Sequence, residues 1–150
     1  MSSIAAAVAA LLVAAVLGSA CEGFGGGGGQ PTPPPGTGYA VVVRHDGKTA
    51  GRYDVAALRG MPAVDVPTPQ SQGKQVQHGP RVRDLLARAG VKAFKRVKAV
   101  GLSASQTFTS AEVDDQVVLD FDNRGTVKLA GGHLSTDRWV REVTELDADS

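Results

Sequence analysis

The chain has 150 residues, 42% of them hydrophobic and 21% charged, with a formal net charge of +1. That length suits one folded domain, and a near-neutral chain with only 5% aromatic residues has neither the basic excess nor the stacking side chains of a nucleic-acid binder. A single cysteine, Cys21, excludes an intrachain disulfide and any multi-cysteine metal site.

The first twenty residues carry no charge, and the apolar run from Ile4 to Leu17 is short for a membrane span but suited to a signal-peptide core. Gly18-Ser19-Ala20-Cys21 follows at once and resembles the lipobox of bacterial lipoproteins, in which the cysteine is acylated and becomes the mature N-terminus. The expectation is a signal peptide over 1–20, a lipidated Cys21, and a tether over 21–38 whose glycine run and proline segment hold a domain at 39–148 clear of the membrane. Cleavage at an ordinary A-x-A-like site would leave Cys21 incidental and the protein secreted. Either route places it outside the cytoplasmic membrane.

Tyr39 to Arg44 is a β-branched run and predicts a strand, and Asp46-Gly47 predicts a hairpin returning through Thr49 to Tyr53. Asp54 can cap a short helix over 55–58 ended by Gly60, and Ala63 to Val66 predicts another strand stopped by Pro67 and Pro69. A polar loop, Gln70 to Lys74, runs through Gln75 to Gln77 into the main helix, expected at about 80–89. Pro80 suits its first position, Val82, Leu85, Leu86 and Ala89 make its apolar stripe, and Gly90 supplies a left-handed cap. Beyond it, Arg96 to Leu102 alternates as a half-buried strand, and Gln106 to Thr109 extends it or pairs beside it. Ser110 can cap a turn over 111–114, Gln116 to Phe121 and Thr126 to Ala130 form a hairpin about Asp122–Gly125, and Arg138 to Leu146 predicts a last strand. Strands outnumber helices, so the fold class expected is α+β, with a mixed, mostly antiparallel sheet, one main helix and one or two short ones.

The order of these elements is distinctive. A short helix ends in L-x-G-x-P (Leu58, Gly60, Pro62), and G-P-x-V-x-D-L-L-x-x-A-G-V runs from Gly79 to Val91. A T-x-x-E turn follows at Thr109 to Glu112, and R-W-V-x-x-V at Arg138 to Val143. Residues 39–147 thereby resemble the molybdopterin-binding domain of the sulfite-oxidase type in its small, single-domain bacterial form. The resemblance implies an α+β fold and, in active members, oxidoreductase chemistry at a molybdenum held by a pterin dithiolene and one cysteine. The segment where that ligand belongs, Val64 to Gln77, offers Thr68 and Ser71 but no thiol, and a hydroxyl does not substitute for a soft thiolate.

Arg81, Arg83, Arg88, Lys92, Lys95, Arg96 and Lys98 cluster in one stretch whose single acid is Asp84. Such a run is ordinarily a solvated face, but at a helix N-terminus it can take an anion, and beneath a tether it can meet anionic headgroups. His78, Arg81, Arg83, Arg88 and Arg138 form the candidate ligand surface on this reading. Trp139, beside Arg138 and Arg141, is either a stacking surface or a strand tryptophan over the core. His45, His78 and His133 are widely separated, no G-x-S-x-G elbow is present, and the Asp114-Asp115 and Asp120-Asp122 pairs suit turns. No catalytic residue, metal site or bound cofactor is therefore expected. The function expected is a lipid-anchored, non-catalytic binding or accessory module that takes an anionic small ligand or a partner protein. The alternative is a molybdopterin-dependent oxidoreductase with an atypical or partner-completed site.

Overall fold

The computed structural model describes residues 38–150. The expected signal peptide, Cys21 and nearly all of the expected tether lie outside these residues.

Strands β1 (Ala40–His45) and β2 (Lys48–Asp54) form the opening hairpin, with Asp46 and Gly47 at φ 49° and 80° in a type I′ turn that matches the strand twist. Asp54 caps α1 (Val55–Arg59) as expected, its carboxylate accepting the Ala57 N–H at 2.7 Å. β3 (Ala63–Pro67) pairs antiparallel with β4 (Val76–Pro80), and α2 (Val82–Arg88) follows. β5 (Arg96–Gly101) and β6 (Ser105–Thr109) form a second hairpin, β7 (Val117–Phe121) and β8 (Val127–Gly131) a third. A 3₁₀ turn over Thr136–Arg138 leads to β9 (Val143–Asp149). The main sheet has the order β2-β1-β9-β5-β6, parallel only between β1 and β9. The two other hairpins are separate two-stranded sheets, and β4 lies beside β7. This is the α+β class with a mixed, mostly antiparallel sheet.

One core joins the layers. Val41 and Val43 of β1, Leu58 of α1, Leu85 and Leu86 of α2, Phe108 of β6, Leu119 of β7, Leu129 of β8 and Leu146 of β9 are all fully buried in it. Each large aliphatic side chain removed from water contributes about 1.5–3 kcal/mol. The helix is held by this stripe rather than by its own length, since seven residues are too few to be stable alone.

Four expectations need correction. The main helix begins at Val82, not Pro80, because Gly79 and Pro80 are taken up by pairing with Val64 and Ala63, so Pro80 ends a strand. Gln75 to Gln77 is not a plain lead-in, since Val76 and Gln77 belong to that same strand. Thr109, not Ser110, caps the next turn: its hydroxyl accepts the Glu112 N–H at 3.3 Å while the Glu112 carboxylate accepts the Thr109 N–H at 2.8 Å. The last strand begins at Val143, because Arg138 closes the 3₁₀ turn and Glu142 adopts φ 51°, a left-handed conformation that interrupts extended backbone. Trp139 is therefore a turn residue, half-buried against the core. The helix end is as expected. Gly90 is left-handed at φ 88°, with Val91 N–H on the Leu86 carbonyl and Gly90 N–H on the Ala87 carbonyl, a Schellman motif.

Candidate functional site

The most constrained polar group in the fold is Asp120 of β7, whose side chain is 4% exposed. It is reached from three elements. The His78 backbone N–H donates to its Oδ1 at 2.8 Å, Lys74 Nζ donates to the same oxygen at 2.6 Å, and Lys128 Nζ lies 3.7 Å from Oδ2. A buried carboxylate is tolerated only with such partners. Lys128 is directly opposite Asp120 in the β7–β8 register. The approach of β4 depends on Gly79, because a Cβ there would stand 1.8 Å from the Leu119 carbonyl oxygen.

The segment between β3 and β4 is closed by two side-chain amides, the buried Gln77 and the half-buried Gln70. Gln77 donates to the Thr68 hydroxyl at 3.0 Å and the Lys74 carbonyl at 2.6 Å, and Thr68 N–H bonds the Gln75 carbonyl at 2.7 Å. Gln70 donates to the carbonyls of Gly131, Gly132 and Leu134 at 2.7–3.2 Å, fastening the loop to the end of β8. Gln77 Oε1 is buried and has no partner among the described residues. The loop therefore stands in a defined place, and Ser71, Gln72, Gly73 and Lys74 form one wall of a groove of about 330 Å³. Lys128, Thr136, Trp139 and Arg141 form the other wall. The Trp139 indole N–H is satisfied by the Leu134 carbonyl at 3.3 Å, and Lys128 Nζ sits 5.1 Å over the ring. Burial lowers the Lys128 ammonium from the usual lysine range; Asp120 opposes that shift, while Lys74 and Arg141 add to it. Chemically the groove is an acceptor of negative charge, built from two ammoniums, a guanidinium, two hydroxyls and an amide.

The residues singled out from sequence fall elsewhere. His78 is on β4 with its ring exposed and Nδ1 2.6 Å from Asp65 Oδ1. Arg81 precedes α2 and bonds the Asp115 carbonyl at 3.3 Å and Asp84 at 3.6 Å, while Arg83 meets the Asp115 carboxylate at 3.3 Å. Arg138 pairs with Glu112, donates to the Thr107 carbonyl at 2.8 Å and lies over the Phe108 ring. His133 reaches the Glu112 carbonyl at 3.0 Å, so Arg81, Arg83, His133 and Arg138 all tie down the 110–116 turn. Arg88 stands exposed in the last turn of α2, apart from them. Arg96 also has a distant acid, Asp149 at 3.7 Å, so the basic run is countered by carboxylates far along the chain. Lys74, Lys128 and Arg141 line the groove instead. Counting outward from the Asp122–Gly125 turn would have set Val127 opposite Asp120; the turn includes Thr126 as well, and that one residue is what brings Lys128 there.

The molybdenum centre implied by the sequence resemblance does not fit this donor set. The groove presents hydroxyl, amide, ammonium and guanidinium groups, and the only cysteine in the sequence is Cys21. Thr68 is fully buried and committed to Gln77, leaving Ser71 as the hydroxyl from that segment which faces the groove.

No family model matches the chain, and no curated protein matches it. Among solved structures, the chain is similar to the sulfane dehydrogenase SoxCD from Paracoccus pantotrophus, with a TM-score of 0.59 and 20% identity over 74% of this chain. It spans 38% of the length of that enzyme's chain, and at this identity the likeness is one of fold.

Proposed function

We propose that this protein is a lipid-anchored, extracytoplasmic binding or accessory module on a molybdopterin-domain-like fold, without catalysis of its own, whose groove accepts an anionic ligand. The observation that carries the reading is the groove lining: Lys74, Lys128 and Arg141 gather where a loop without a thiol closes onto β7 and β8. Fold and chemistry are separable, so a dehydrogenase-like frame can hold a plain binding site. The ligand is a small anion or an acidic part of a partner protein.

Three measurements test this. Purified protein should carry no stoichiometric molybdenum and release no pterin. Stoichiometric metal with an organic pterin would overturn the reading in favour of an oxidoreductase with an atypical or partner-completed site, which the fold likeness to a dehydrogenase otherwise favours. Calorimetric titration with sulfate should give saturable binding that Arg141→Ala weakens; the absence of any binding counts against the anion groove. For the anchor, Cys21→Ala should release the protein from membranes, and unchanged membrane association contradicts lipidation.

A further inference from the structure

A second depression, of about 430 Å³, adjoins the groove across Lys128 and Arg141, which line both. Its other walls are Ser103, Asp122, Asn123, Arg124 and Glu142. The ridge between the two depressions is strongly cationic. Lys74 and Lys128 share one buried carboxylate, Asp120, while Arg141 lines both depressions and forms no ion pair among the described residues. The second depression is different in character: Arg124 is paired with Glu142 at 3.4 Å, and Asp122 is engaged by Thr126 and the Arg124 N–H. Two carboxylates beside a cationic ridge repel a uniform polyanion but accept a chain of mixed charge. Leu102, next to Ser103, is 70% exposed, and in the first groove the half-buried Trp139 ring lies beneath Lys128.

The geometry points to an extended acidic peptide of a partner protein as the occupant of this two-part surface. This rests on the reading of the groove as a binding site and names what fills it. An extended peptide rises about 3.3 Å per residue, so alternate side chains lie on one face some two rises apart. Acidic side chains of such a peptide meet Lys128 and Arg141 on the ridge. The residues flanking them enter the two depressions, where hydroxyls, amides and the Asp122–Glu142 side accept polar or basic groups. A lone anion uses one depression and leaves the other idle.

The test is fluorescence anisotropy on the purified full-length chain. The probe is a labelled octapeptide with two glutamates separated by a serine and flanked by lysine and asparagine. Its glutamine counterpart, free sulfate and heparin are the comparators. The acidic peptide should bind more tightly than the glutamine counterpart or sulfate, and Arg141→Glu should weaken it by at least about tenfold. Ser103→Trp, at an exposed position that fills the second depression, should weaken the peptide and leave sulfate binding unchanged. Circular dichroism checks that both variants fold. If sulfate binds as tightly as the peptide and Ser103→Trp has no effect, the peptide inference falls while the anion groove stands. Heparin binding more tightly than the peptide also overturns it, and if neither peptide nor sulfate binds, both readings fall.

Discussion

Asp120 is the point at which the loop, β4 and β8 meet, and its substitution by asparagine removes the charge. Asparagine keeps the shape and an oxygen for the His78 N–H and Lys74, so the change removes the negative charge and turns an NH2 group toward Lys128 in place of Oδ2. Removing one partner of a fully buried ion pair costs about 3–5 kcal/mol. Lys74, however, has its side chain 52% exposed and can turn to water, so its share is discounted toward the value of a surface pair. Lys128, at 21%, cannot turn out so freely, and its ammonium already lies lowered by burial. A loss of about 2 kcal/mol follows, of the order of one charge-assisted hydrogen bond. For a domain of this size that is roughly 10 °C in Tm. The assay is urea unfolding followed by the fluorescence of the single tryptophan, Trp139, which lies over Lys128. The midpoint should fall with an unchanged m value. Lys74→Met should cost less than about 1 kcal/mol, and the double variant should be less than additive. A midpoint for Asp120→Asn indistinguishable from the parent, or a larger effect from Lys74→Met, would refute the placement of the charge at Asp120.

Three further outcomes follow from the same structure. Tyr39→Phe should destabilise by about 1–3 kcal/mol in urea unfolding, because the phenol accepts the Val127 N–H at 3.1 Å and donates to the Val143 carbonyl, and both would lose their partner. Gly79→Ala should lower stability by about 3 kcal/mol or more and loosen β4 from β7, seen as faster amide exchange at His78; a neutral result would show that the strands can separate freely. On acidification, stability should hold above about pH 4 and then fall. The Glu112 carboxyl is held below its usual range first by Arg138 and then by Thr109. Burial pushes the Asp122 carboxyl up, but hydrogen bonds from Thr126 and Arg124 outweigh it and lower it. A depressed folded pKa means that the stabilisation is present above the unfolded value and is lost as the pH drops through the folded one. Glu112→Gln should flatten this acid limb of the urea midpoint; an identical limb argues against the Arg138 pairing.

What the sequence by itself determined is local. The Asp46-Gly47 hairpin, the Asp54 cap, the Val82–Leu86 stripe, the Gly90 terminus and the alternation of Arg96–Gly101 were all legible, because each depends on backbone propensity or on periodicity within a few residues. The missing thiolate was legible for the same reason: composition needs no coordinates. Tertiary structure alone decided the rest. Pro80 belongs to a strand because β3 pairs with that backbone, and Arg138 leaves the last strand because Glu142 turns left-handed ahead of Val143. The candidate site moved for an electrostatic reason. Of the arginines that stood out along the chain, Arg83, Arg96 and Arg138 found carboxylates at Asp115, Asp149 and Glu112, tens of residues away. Lys74 and Lys128 were brought together on one buried acid, and Arg141 beside them in the groove, by pairing that no local pattern records. Charge is additive in space rather than along the chain, so only the fold reveals where it is left over.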